Sequence, residues 1–172
     1  MDDPEAEYTE YVRGRIPALR RLAFLLCGDE HRADDLVQTT ITNLFVHWSR
    51  ARTAGHLNNY VRTMLVRAFI DERRLKWARV RLFGSPPEPE PAPGHEGLED
   101  RAVLRAALAR VPRRQQAVLV LRFLCDLPVD EVAEILNCSP GTVKSQTSYG
   151  LARLRKLLDE RNEQPVTPKV RH

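Results

Sequence analysis

The chain has 172 residues, 42% of them hydrophobic and 29% charged, which suits one soluble domain or two small ones and excludes a disordered tail. No apolar run approaches the roughly 18 residues of a membrane span, and the acidic start MDDPEAEYTEY lacks the basic flank of a secretory leader, so a cytoplasmic protein with no membrane partner is expected. The net charge of +4 conceals two basic blocks around an acidic strap: Lys and Arg stand 14 to 11 against Asp and Glu over residues 1–83, none to 5 over 84–100, and 13 to 7 over 101–172, a balance that suits a polyanion partner.

In chain order, the first predicted helix covers residues 5–27, with Pro17 placed to kink or divide it and Gly28 to end it. The second has the strongest pattern. In EHRADDLVQTTITNLFVHW, Ala33, Leu36, Val37, Thr40, Ile41, Leu44, Phe45 and Trp48 follow helical spacing over four turns. A third runs over about 58–80, with Val61, Leu65 and Ala68 inward and Arg62, Arg67, Arg73, Arg74 and Arg79 largely outward. Then GSPPEPEPAPGHEGLED, with five prolines and three glycines, reads as an extended linker. Its roughly 15 residues reach up to about 50 Å.

Beyond the linker, helices are predicted at 98–110, 112–125, 128–136 and 140–158, with Pro112 and Pro128 at helix starts. The last pair is separated only by Asn137, Cys138 and Ser139, the spacing of a helix-turn-helix in which one helix braces the next across a major groove. Val129, Val132, Ala133 and Leu136 form the brace's apolar face, and Val143 packs back on it. Ser139 is the N-cap of the final helix and Pro140 its first residue. Its outward stripe carries Lys144, Ser145, Ser148 and Tyr149, followed by Arg153. No alternating run is long enough for a sheet, so the expected fold is all-α: two small helical domains joined by a flexible, acidic, proline-rich linker. Cys27, Cys125 and Cys138 show no CxxC spacing and read as small buried hydrophobes, and no cofactor or metal site is expected.

A helix-turn-helix alone fits many regulators; the N-terminal half narrows the choice. Asp34, Asp35, Leu36, Val37 and Gln38 match the D/E-D-L-V-Q signature of the polymerase-binding helix of bacterial sigma factors. With VPRRQQAVLVLRFLCDLPVDEVAEILNCSPGTVKSQTSYGLARLRKLL following in the right order, the chain resembles an extracytoplasmic-function (ECF) sigma factor. Tyr149 and Asn43 depart from the basic residues common at those places. The resemblance implies a non-enzymatic transcription initiation factor: sigma region 2 at 1–83, a linker at 84–97, sigma region 4 at 98–160 and a tail at 161–172.

It also implies partners and sites. Asp34, Asp35 and Gln38 would meet the beta-prime clamp helices of core RNA polymerase, with the beta flap as a second polymerase contact. Arg50, Arg52, His56, Asn58, Asn59 and Arg62 would receive the melted minus-ten strand, although His56 and the asparagines serve equally as turn and cap residues. Lys144, Ser145, Ser148, Tyr149 and Arg153 would read the minus-thirty-five duplex. Trp48 sits on the apolar stripe and reads as core before base-stacking. An anti-sigma factor is a compatible further partner. The rival classes are a quorum-sensing-type helix-turn-helix regulator and a metal-dependent nuclease built from His31, Asp34, Asp35, Asp71 and Glu72. The first needs an effector or phospho-acceptor segment that 1–83 does not resemble. The second must use Asp34 and Asp35, which diverge by about 100° on a helix.

Overall fold

A computed structural model describes residues 3–83 and 97–163, with 73–83 and Leu98 described by backbone alone. Helices follow in the order α1 (Pro4–Cys27), α2 (Glu30–Val46), α3 (Trp48–Ala51), α4 (Leu57–Phe83), α5 (Leu98–Ala109), α6 (Arg113–Leu119), α7 (Val129–Leu136) and α8 (Pro140–Asn162), and the described residues contain no strand. The all-α expectation holds. The expected linker at 84–97 lies almost wholly outside the described residues.

α1 starts where Asp3 accepts a hydrogen bond from the Glu5 backbone and ends at Gly28, whose φ of 68° is the left-handed conformation that suits glycine. Pro17 neither ends nor divides it. The proline lies on the exposed face, where the carbonyl left without its helical partner meets water. α2 begins at Asp29, which accepts from the Arg32 backbone at 2.8 Å, and buries Ala33, Leu36, Val37, Thr40 and Leu44. α1, α2 and α4 pack on one another around Leu22, Leu26, Leu44, Leu65 and Phe69.

α6 runs directly into a π-helical stretch, Val120–Leu124, closed by Cys125 donating to the Val120 carbonyl at 2.9 Å. That wider turn leaves Phe123 and Leu124 exposed while Val120 and Leu121 stay in the core. α7 is capped by Pro128, which supplies no side-chain bond, with Asp130 and Glu131 in its first turn. The short turn to α8 passes through Asn137 in the left-handed region, at φ 50°. A smaller apolar cluster of Ala107, Val111 and Leu157 fastens α5 to the far end of α8.

The helices before and after the linker also pack on each other, a contact that periodicity does not foretell. α4 lies against α6 and α7, and one continuous apolar cluster runs from Leu26 and Phe69 to Val118, Val132 and Val143. Polar contacts pin the seam. Gln116, itself buried, donates to the Leu26 carbonyl at 2.9 Å, the Arg113 guanidinium lies 4.4 Å over the Phe69 ring, and Arg62 pairs with Glu131 at 2.8 Å.

Candidate polymerase and nucleic-acid interfaces

Burial of one stripe of α2 turns Asp34, Asp35 and Gln38 to solvent. The two acids are not equivalent. Asp34 is engaged by Arg20 of α1 through two bonds, Nε to Oδ1 at 2.8 Å and Nη2 to Oδ2 at 3.3 Å, whereas Asp35 and Gln38 make no side-chain bond among the described residues. Asp35 is therefore the acid ready for an outside arginine, and Asp34 can accept one only by exchange with Arg20.

The segment between α2 and α4 folds over the N-terminal turns of α1. Trp48 is 5% exposed, with the rings of Tyr8 and Tyr11 at 5.4 and 5.6 Å, so it is a core residue as its place on the stripe suggests. Arg52 pairs with Glu7 at 3.1 Å, Asn58 accepts from the Tyr11 hydroxyl at 2.9 Å, and Asn59 accepts from Arg62 at 3.3 Å. Arg50 and His56 are exposed. Arg62, expected to face outward, is half-buried instead because Glu131 of α7 draws it into the seam. Arg67 is exposed, and the side chains of Arg73, Arg74 and Arg79 lie outside the described residues, as does that of Trp77. Glu7 and Tyr11 escaped the sequence reading, since Tyr11 and Asn58 are 47 residues apart and neither stands in a motif. Burial pushes the Cys125 thiol up and Arg62 draws it back only in part, which favours a neutral packing group.

In the helix-turn-helix, Val132, Ala133, Ile135 and Leu136 are buried, Val129 is half-buried, and Val143 of α8 is fully enclosed. Ser139 accepts from the Thr142 backbone at 3.1 Å, and Arg114 donates to the Leu136 carbonyl at 3.1 Å, closing the open end of the brace. Gly150 sets the approach of α8 to α6: a Cβ there would stand 3.1 Å from Leu119 Cδ1. These contacts leave Lys144, Ser145, Ser148, Tyr149 and Arg153 exposed on α8, with Tyr149 at 64%. The Ser145 hydroxyl donates back to the helix, shared between the Gly141 and Thr142 carbonyls at 3.1 Å each, so outward it offers only an acceptor.

Comparison with known families places both halves. Residues 12–79 match the model of sigma-70 region 2, and residues 101–154 match that of sigma-70 region 4. The pair, in that order, defines a sigma-70-type transcription factor. An RNA polymerase sigma-E factor of Streptomyces coelicolor is 35% identical over 91% of this chain and 88% of its own length. The ECF sigma factor EcfG of Rhodopseudomonas palustris is 29% identical over 86% of this chain and 82% of its own. The fold is also that of the sigma factor RpoE from Bartonella quintana, solved with the anti-sigma factor NepR, at a TM-score of 0.71 and 24% identity over 89% of this chain and 97% of that one. The chain belongs to the ECF sigma factors.

Proposed function

We infer that this ECF sigma factor, which binds core RNA polymerase and directs promoter-specific initiation, divides that work between its two halves. Residues 1–83 dock on the beta-prime clamp helices through Asp35, Gln38 and an exchangeable Asp34, and hold the melted minus-ten strand with the segment from Arg50 to Arg62. Residues 98–160 read the minus-thirty-five duplex with α8 and meet the beta flap. The protein acts in the cytoplasm and catalyses nothing itself. No helix among the described residues is long and apolar enough to cross a membrane. The observation that carries the division is that one chain exposes an acidic α2 face at one end and the Lys144 to Arg153 stripe of a capped helix-turn-helix at the other.

Neither rival class finds support. Residues 12–79 match sigma region 2, where a quorum-sensing-type regulator would carry an effector or phospho-acceptor segment. Asp34 and Glu72 are tied to Arg20 and Arg32, and the described residues hold no cluster of three metal-ligating side chains.

Packing of α4 on α7 adds a requirement. Promoter elements centred about 25 base pairs apart are about 85 Å distant at about 3.4 Å per pair, whereas a compact body of about 150 residues has a radius of gyration of about 15 Å. The packed form therefore spans one element at most. Reading both requires the halves to part, which frees Arg62 from Glu131 and returns it to the minus-ten segment. An anti-sigma factor that clasped the seam would hold both halves from DNA.

Asp35→Arg tests the polymerase face. The side chain is exposed and makes no side-chain bond among the described residues, so the expected outcome is loss of core polymerase binding in a pull-down, by tenfold or more for about 1.4 kcal/mol, with helicity and melting temperature unchanged. Wild-type affinity would remove α2 from the polymerase interface.

A further inference from the structure

The segment between α3 and α4 carries two neighbouring asparagines, and their surroundings decide which way each amide points. An amide offers one acceptor and two donors on nearly identical arms, so its orientation has to be read from its partners. For Asn59 the partner is Arg62, whose guanidinium has only donors, so the Asn59 oxygen turns to it. For Asn58 the partner is the Tyr11 hydroxyl, which in isolation serves as donor or acceptor. In the structure the hydroxyl donates its single proton to Asn58 Oδ1 at 2.9 Å. Burial raises the Tyr11 ionisation and the Arg15 charge lowers it, and a guanidinium has no acceptor that could take that proton instead. The Tyr11 ring is held against Trp48 at 5.6 Å, and the far end of the same segment is tied down by Arg52 on Glu7. Asn58 is exposed, and its Nδ2 makes no hydrogen bond among the described residues. Both asparagines therefore show N–H groups, not oxygens, as their free polar edge.

We propose that Tyr11 is a positioning residue that sets base preference in the melted minus-ten strand: by holding Asn58 oxygen-inward it makes the segment a hydrogen-bond donor surface. A base leaving the stack is read on its pairing edge. Cytosine brings two adjacent acceptors there, O2 and N3, and fits such a surface best. Guanine brings N1–H and the N2 amino group, two adjacent donors, and fits worst. This rests on the assignment of the Arg50 to Arg62 segment to the minus-ten strand, and deepens it by naming the chemistry of the base and the residue behind the choice.

The test is initiation by holoenzyme, reconstituted from core polymerase and the full chain, on promoter fragments carrying each of the four bases in turn at every minus-ten position. The wild type is expected to favour cytosine over guanine at one position by roughly tenfold, within the range of one well-formed base contact. Tyr11→Phe keeps the ring on Trp48 and removes only the hydroxyl, so Asn58 is free to turn. The preference at that position should shrink to about twofold while the other positions keep their wild-type profile. Asn58→Ala should erase the same preference. If Asn58→Ala erases it and Tyr11→Phe retains the full wild-type profile, the proposal is overturned while the minus-ten assignment stands. If Tyr11→Phe depresses initiation equally with all four bases, Tyr11 supports the fold or a phosphate contact and the proposal is again overturned. If Asn58→Ala alters no position, the segment does not read the minus-ten strand, and both fall together.

Discussion

Residues 4–83 are built from three long helices of 24, 17 and 27 residues and one four-residue turn of helix, whereas residues 98–136 pack helices of 12, 7 and 8 residues plus a π-helical turn before the 23-residue α8. The first half gains its order from continuous apolar stripes, with Leu19, Leu22, Ala23 and Leu26 along α1 alone. In the second half α6 and α7 are too short for a stripe alone to settle direction. Punctuation settles it: Pro112 and Pro128 at helix starts, Asn137 in the left-handed region, the Ser139 cap, and Arg114 on the Leu136 carbonyl. Long stripes tolerate local faults, as the undivided α1 around Pro17 demonstrates. A helix-turn-helix aimed by caps and one turn should be more sensitive to single changes.

The sharpest way to break that contrast is Val143→Asp. The side chain is fully buried between α8 and the brace, and an unpaired carboxylate there should destabilise the second half by more than about 4 kcal/mol. Loss of cooperative thermal unfolding in region 4 is the expected result, and because Val143 belongs to the same apolar cluster as Phe69, the melting of the first half should move as well. A first half that melted as before would show the two halves to be energetically separate. Ser139→Ala is the intermediate case: loss of the bond to the Thr142 backbone should lower stability by about 1 kcal/mol, read by denaturant titration. The smallest expected effect belongs to Glu131→Gln. Arg62 and Glu131 are about a quarter exposed, so solvent screens the pair, and the change should fall below about 1 kcal/mol and fade with added salt.

Where the sequence was legible follows the same contrast. The helices over 5–27, 58–80, 98–110 and 140–158 are present within a few residues of their predicted ends, because each carries a periodic stripe, to which Gly28, Pro112 and Ser139 add terminal signals for three of them. The predicted helix over 112–125 is an α-helix only to Leu119. Its π-helical continuation has no signature in residue type, since one residue more per turn is chosen by what the turn packs against. The α3 turn is too short to show a period. On the candidate sites, sequence found the exposed stripes on α2 and α8 but not which members were engaged. Arg20 on Asp34, Tyr11 on Asn58 and Glu131 on Arg62 are pairings across 14, 47 and 69 residues, made only once the helices pack. The seam between the halves escaped for a related reason. Its apolar residues extend the same stripes that build each half, so nothing in their spacing says that they continue across.

Gln116 gives that seam a character of its own. Its amide reaches across to the Leu26 carbonyl, one of the last four of α1, which no residue of its own helix can serve. While the seam is shut, any sideways slip would strand both groups out of water, so only one register of closure is acceptable. Once it is open, water satisfies both as well as they satisfied each other, and the bond adds little to the work of separation. A seam of leucine and valine alone would be sticky and indifferent to alignment. With one amide set into it, it behaves as a keyed clasp: particular about how it shuts, undemanding about being undone.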